Sequence, residues 1–196
     1  MLAMNKRQPT TLLRFNKPHG VLCQFRDPQR ATLADFIEVP HVYPAGRLDY
    51  ASEGLLLLTN SGKLQARISE PRYKLPKTYL AQVEGEPSEA NLRALVDGVE
   101  LRDGLSRFAA ARCIDPPALP DRSPPVTPHR AARSNWVEVR LTSGRNRQVR
   151  RSLAAVGLPV LRLLRTQIGP CDLADLAPGQ WQAVDAQVIA QLLGTA

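Results

Sequence analysis

Hydrophobic positions along this chain fall into short runs whose period alternates between two and about 3.6 residues, the mark of mixed strands and helices. Residues 12–15 and 21–25 read as two short strands joined across Lys17-Pro18-His19-Gly20, where Pro and Gly punctuate the pair. Residues 32–37 form a short helix candidate. Residues 55–59 are an uninterrupted apolar run bounded by Gly54 and Asn60-Ser61-Gly62, which predicts a core strand. Ser61 can cap a helix through residue 69, with Leu64 and Ile68 on one face. Residues 77–84 alternate as a half-buried strand, with Tyr79, Ala81 and Val83 on one side and Thr78, Leu80 and Gln82 on the other.

Further along, Ser88-Glu89-Ala90-Asn91 opens a helix with Leu92, Leu95 and Val96 as its stripe, and residues 107–114 return as a strand. Residues 115–135 hold six prolines and almost no large apolar groups, so they read as an inserted surface loop. Residues 135–142 resume a strand. Residues 146–156 predict a two-sided helix, Arg147, Arg150, Arg151 and Ala154 opposite Val149, Leu153 and Val156. A strand over 159–164, a turn at Pro178-Gly179 and a helix over 185–193 close the chain, and residues 1–11 read as a frayed tail. The mixture predicts an α+β fold dominated by antiparallel sheet.

Composition narrows the class. The chain has 196 residues and is 43% hydrophobic, enough for one good core or two small subdomains. Its 26 Lys plus Arg against 18 Asp plus Glu give a formal charge of +8, which favours an acidic partner such as nucleic acid but does not choose RNA over DNA or membrane. No apolar run approaches a membrane span and no signal-peptide core is present, so a cytoplasmic location is expected. Cys23, Cys113 and Cys171 are too scattered for a zinc site and read as small buried or half-buried thiols. His19, His41 and His129 are equally dispersed, and no phosphate-cradling or dinucleotide glycine loop occurs. The chemistry must therefore run on carboxylate, arginine and tyrosine, with no metal.

The segment that carries it is Gly46-Arg47-Leu48-Asp49-Tyr50, just before the 55–59 run. A connection at the mouth of a buried strand is where catalytic side chains tend to lie. Asp49 is either a reactive carboxylate or a turn residue capping its own backbone. The full stretch GRLDYASEGLLLLTN resembles the signature of the pseudouridine synthases that modify ribosomal RNA. Other elements of that family appear in order: Asn16-Lys17-Pro18-His19-Gly20, Lys77-Thr78-Tyr79, Gly144-Arg145-Asn146-Arg147-Gln148-Val149-Arg150-Arg151, Ala155-Val156-Gly157 and Leu161-Arg162-Leu163.

The resemblance implies two α+β subdomains, about 12–73 and 74–194, sharing the sheet with an active cleft between them. The S4-type module of many members is expected to be absent, since sixteen residues precede Lys17. It implies isomerisation of a flipped-out uridine, in which the bond from base to ribose is broken and remade through a ring carbon. No atoms are added, so no cofactor is expected. Asp49 matches the catalytic aspartate, acting as nucleophile or as a base on the sugar. Arg150 matches its basic partner, expected to hold the carboxylate ionised against burial; by pattern alone it is a solvated helix face. Tyr79 matches the tyrosine that stacks on the base and helps remove the ring-carbon proton; by pattern alone it is equally a core aromatic. Arg47 is expected to fill the place of the flipped base or grip a phosphate, and Lys17, Lys77, Arg145 and Arg147 to touch the RNA backbone. Gly46, Gly54 and Gly144 read as backbone turns.

The expected partner is RNA, 23S ribosomal RNA or a ribosomal assembly intermediate, and the protein is expected to be a monomer. The alternatives are the same chemistry on 16S or transfer RNA, a non-catalytic RNA-binding assembly factor, and a hydrolase pairing Asp49 with Glu53. The assembly factor would tolerate loss of Asp49 or Tyr79, and both are present. The hydrolase needs two carboxylates in distinct environments, whereas one turn holds both.

Overall fold

A computed structural model describes residues 9–195. One antiparallel half of its main sheet holds β1 (Leu12–Lys17), β2 (Tyr43–Pro44), β3 (Glu53–Thr59) and β11 (Trp181–Ala183). The other holds β4 (Lys77–Glu84), β7 (Ala110–Ile114), β8 (Ser134–Leu141), β9 (Val160–Ile168) and β10 (Cys171–Asp172). The strand order is β11-β1-β3-β9-β4-β8-β7, so the α+β, mainly antiparallel class expected from the sequence is what forms. The halves meet at a short parallel pairing of β3 with β9, Glu53 opposite Leu164 and Gly54 opposite Arg165. The chain after β10 returns to the first half through β11, so both ends of the chain build it.

Why the 55–59 run is apolar at every position follows from what covers it. All seven residues of β3 are buried. Leu56 and Leu58 enter one core with Leu13, Phe15 and Leu33. Leu55 and Leu57 enter another with Leu12, Leu64, Ile68 and Leu192. A strand covered on both faces has no polar side to alternate with. Gly54, at φ +97°, is where the halves touch: a Cβ there would lie 2.3 Å from the Arg165 carbonyl oxygen.

The helices follow their caps. In α1 (Gly62–Ser69) the Ser61 hydroxyl accepts from the Leu64 amide, and Leu64 and Ile68 are buried, as the spacing predicts. In α2 (Glu89–Asp97) Ser88 and Asn91 cap each other; Leu95 is buried, but Val96 is exposed and leaves the expected stripe. The last two are α4 (Gln148–Ala155) and α5 (Ala186–Leu193).

Several expectations are corrected. Residues 21–25 are not a strand, because both edges of β1 are taken by β3 and β11; Leu22 makes only an isolated bridge to Thr32. The 32–37 segment shortens to a single 3-10 turn, Leu33–Asp35, closed by Thr32 and Asp35. The strand expected over 107–114 starts only at Ala110, after an unforeseen hairpin of β5 (Val99–Leu101) and β6 (Gly104–Ser106). The Pro-rich segment contains α3 (Pro128–Ala131) and is tied to the sheet: Arg162 donates to the Pro120 carbonyl at 2.9 Å and Arg122 to that of Leu161 at 3.3 Å. Residues 1–8 of the expected tail lie outside the described residues; the Thr11 amide and the Pro9 carbonyl both bond the Asn60 side chain.

Candidate active site

A cleft of about 650 Å³ opens where the two halves meet. Its floor is one face of the second half, where Lys77 and Tyr79 of β4 lie beside Leu163 and Arg165 of β9, Tyr79 directly opposite Arg165. Its walls are the connection before β3, which carries Arg47, Asp49 and Tyr50, and the loop before α4, which carries Arg145 and Arg147. Asp49 is the single carboxylate among the described residues that line it, against five cations: Arg47, Lys77, Arg145, Arg147 and Arg165.

The turn that presents Asp49 is fixed from several sides. The Ser52 amide donates to the Asp49 carbonyl at 2.9 Å, and the Gly20 amide to that of Tyr50 at 2.9 Å. The Leu48 amide donates to Cys23 Sγ, and that thiol donates back to the Leu48 carbonyl, both at 3.3 Å. Arg150 reaches under the turn, its Nη2 donating to the Ala51 carbonyl at 2.8 Å and to Ser52 Oγ at 3.4 Å. Asp49 is thereby held at the cleft with its side chain about three-tenths exposed.

This geometry alters several expected roles. Arg150 forms no ion pair with Asp49; its Nη atoms donate to the turn backbone and, at 3.3 Å, to the Val160 carbonyl. Burial, and the like charge of Arg147, pull its pKa below the usual arginine range, with Asp49 acting the other way. The cation beside Asp49 is Arg147, whose Nη1 lies 3.9 Å from Oδ2. Arg147 is not on the helix: at φ +47° it precedes α4, and this left-handed step turns it toward the cleft. Lys17 is not at the surface at all; it is fully buried, its Nζ donating to the carbonyls of Pro18 and Val21 at 2.8 and 2.9 Å. Burial lowers its pKa to about 8. Arg145 spends most of its fork on the hairpin, donating to the carbonyls of Asp103, Gly104 and Leu105. Glu53, the other carboxylate of the hydrolase alternative, is locked in a two-pronged pair with Arg162, both contacts at 2.9 Å, which leaves it no free proton-transfer role.

Of the remaining candidates, Arg47 is exposed on the rim with no hydrogen bond or ion pair among the described residues. Lys77 reaches the cleft with Nζ on the Leu75 carbonyl at 3.1 Å, and burial with Arg165 nearby lowers its pKa to about 8. Tyr79 is 8% exposed, with the Arg165 guanidinium 6.0 Å from its ring centre.

Residues 11–155 match the model of a family described as RNA pseudouridylate synthase. The chain belongs to the RNA pseudouridylate synthase family. A ribosomal large subunit pseudouridine synthase E from Xanthomonas campestris pv. campestris is 53% identical over 182 residues, 91% of this chain and 97% of its own length. One of the same name from Vibrio vulnificus is 52% identical over 171 residues, 87% of this chain and 73% of its own. A crystal structure of a pseudouridylate synthase superposes with a TM-score of 0.76 at 27% identity, over 95% of this chain and 75% of that one.

Three groups of this pseudouridylate synthase are not legible in its sequence. Arg165 was hidden because the apolar pattern of its strand ends at residue 164, while β9 runs on to Ile168. Cys23, with no partner motif around it, reads only as a small thiol, yet it ties down the Leu48 backbone. Gln148, 3% exposed, holds the arginine loop: its Oε1 accepts from Ser143 and the Arg145 amide, and its Nε2 donates to Ser106. A glutamine at the start of a cationic helix looks like surface; only the hairpin packed on α4 makes it a buried tie.

Proposed function

We propose that this protein converts a specific uridine of large-subunit, 23S, ribosomal RNA to pseudouridine in the cytoplasm, with Asp49 as the reactive carboxylate. The observation that carries the reading is the cleft's charge: one carboxylate on a hydrogen-bonded turn shares it with a tyrosine and five cations. Such a site suits a polyanion that delivers one uncharged base, and the large-subunit target follows the names of the relatives. Every group invoked lies on one chain, which suits a monomer.

The flipped base stacks on Tyr79, and Asp49 meets the ribose, attacking its anomeric carbon or taking a sugar proton. Arg147 faces the carboxylate as its cation and Arg150 keeps its turn in place. Tyr79 takes the ring-carbon proton, and Arg47 and Arg147 hold the flanking phosphates at the rim.

The test is tritium release from 23S transcripts labelled at the uracil ring carbon that becomes bonded to ribose. Asp49→Ala lies outside the packed strand, so the variant folds and binds RNA while losing at least about a thousandfold in product formation. A folded, RNA-binding variant near the parental rate overturns the assignment. Carbodiimide mapping in cells with and without the protein identifies the RNA, and a site lost from 16S or transfer RNA instead overturns the large-subunit target.

A further inference from the structure

The most deeply buried cation of the cleft is left with a donor unpaired. Arg165 is 4% exposed, yet only its Nε has an acceptor among the described residues, the Leu55 carbonyl at 2.8 Å. Its Nη2 is shut off from solvent with no partner. A buried donor without a partner is costly, so one retained at a cleft marks a place where an acceptor arrives with the ligand. Lys77 stands on the same floor, and neither cation has a carboxylate within ion-pair distance among the described residues. Depth selects which part of a nucleotide meets them. Arg147, with half its side chain exposed, and Arg47 occupy the rim, where phosphates stay with the RNA backbone. The base goes deepest, and Tyr79, its stacking platform, is paired directly with Arg165.

We infer that Arg165 donates to a carbonyl oxygen of the flipped uracil and stabilises the negative charge that the base carries as it leaves the ribose. This rests on the isomerase reading of the cleft. When the bond from ribose C1′ to N1 breaks, its electron pair departs with the base, and the charge spreads from N1 onto the two carbonyl oxygens. After the base turns, C5 bonds to C1′ and gives up its proton, while N1 gains one, so atoms and charge balance with no co-reactant. A guanidinium held ready at the charge that develops is the arrangement that speeds such a step.

The experiment compares wild type, Arg165→Met and Arg165→Gln under single-turnover conditions on a large-subunit transcript, with RNA affinity measured across salt concentrations. The glutamine keeps a donor for the Leu55 carbonyl but no charge, and is read in place of the methionine variant if that one does not fold. The expected result is a rate loss of at least about a hundredfold at saturating RNA, with affinity and its salt slope within about twofold of wild type. On RNA carrying 5-fluorouridine, whose anion is a better leaving group, the variants' deficit in C1′–N1 cleavage is expected to shrink; a merely structural role lowers both substrates alike. A rate within threefold of wild type, an equal deficit on both substrates, or a loss cured by saturating RNA with a shallower salt slope overturns the inference. Wild-type protein that makes no pseudouridine in any RNA instead overturns the functional reading on which it rests.

Discussion

At the position of Arg150 the residue type was legible and its partner was not. Arginine in a Gln-Val-Arg element suggests a counter-ion for Asp49, but the guanidinium reaches the Ala51 carbonyl and so acts on where the turn sits. The difference arises from Arg147: its left-handed backbone, which no hydrophobic pattern encodes, brings a different side chain to the carboxylate. Losing Arg150 therefore frees the turn that carries Asp49 and leaves the nearest cation, Arg147, in place. Arg150→Met is expected to lower the single-turnover rate about a hundredfold, the cost of misplacing a reacting group by about 1 Å, with RNA affinity little changed. A rate within threefold of wild type shows that Cys23, Ser52 and Gly20 hold the turn unaided.

Elements with a full period were readable. Helix α1 and strand β4 occupy the residues the pattern assigns, since each buries a regular face. The β5–β6 hairpin escaped because three-residue strands show no period, and residues 21–25 misled because their apolar content serves loop packing rather than a ladder. Gly54 looked like a turn residue and is the contact point of two half-sheets. Gly54→Ala places a methyl against the Arg165 backbone at a positive φ, so strand and backbone both have to move. The expected loss is at least about 3 kcal/mol of unfolding free energy, read from urea midpoints. A loss under about 1 kcal/mol shows that the β3–β9 junction is loose enough to absorb a side chain.

For the whole molecule, charge acts differently inside and outside. Lys17, fully buried, titrates at about 8 against an ordinary 10.5. Between those values the unfolded chain binds more protons than the folded one, so stability rises with pH; below 8 both forms carry the charge and the burial cost stays in full. From pH 7.5 to 9 wild type is expected to gain about 1 kcal/mol more than Lys17→Met, read from urea midpoints; equal gains show that Lys17 keeps its proton well above 8. Lys77, also lowered to about 8, acts in the same window in both proteins and cancels in the comparison, while above pH 9 Cys171, pushed up to about 11 by burial, acts in the opposite sense.

Outside, the formal +8 overstates the charge free to meet RNA. Arg14, Arg30, Arg112, Arg130, Arg145, Arg151 and Arg162 are all in ion pairs, whereas Arg47 is exposed without a partner among the described residues and Arg147 has only a long contact to Asp49. The sequence ranks Arg47, Arg145 and Arg147 alike, but their surroundings do not. Each phosphate contact adds about 0.7 to the slope of log affinity against log salt for single-stranded RNA. Arg47→Ala and Arg147→Ala are each expected to flatten that slope by about this amount, while Arg145→Ala leaves it nearly unchanged and loosens the β5–β6 hairpin instead. Fluorescence anisotropy with one labelled RNA across salt concentrations decides it. Equal effects of all three substitutions show that the RNA is held by the general charge of the surface and not by the rim of the cleft.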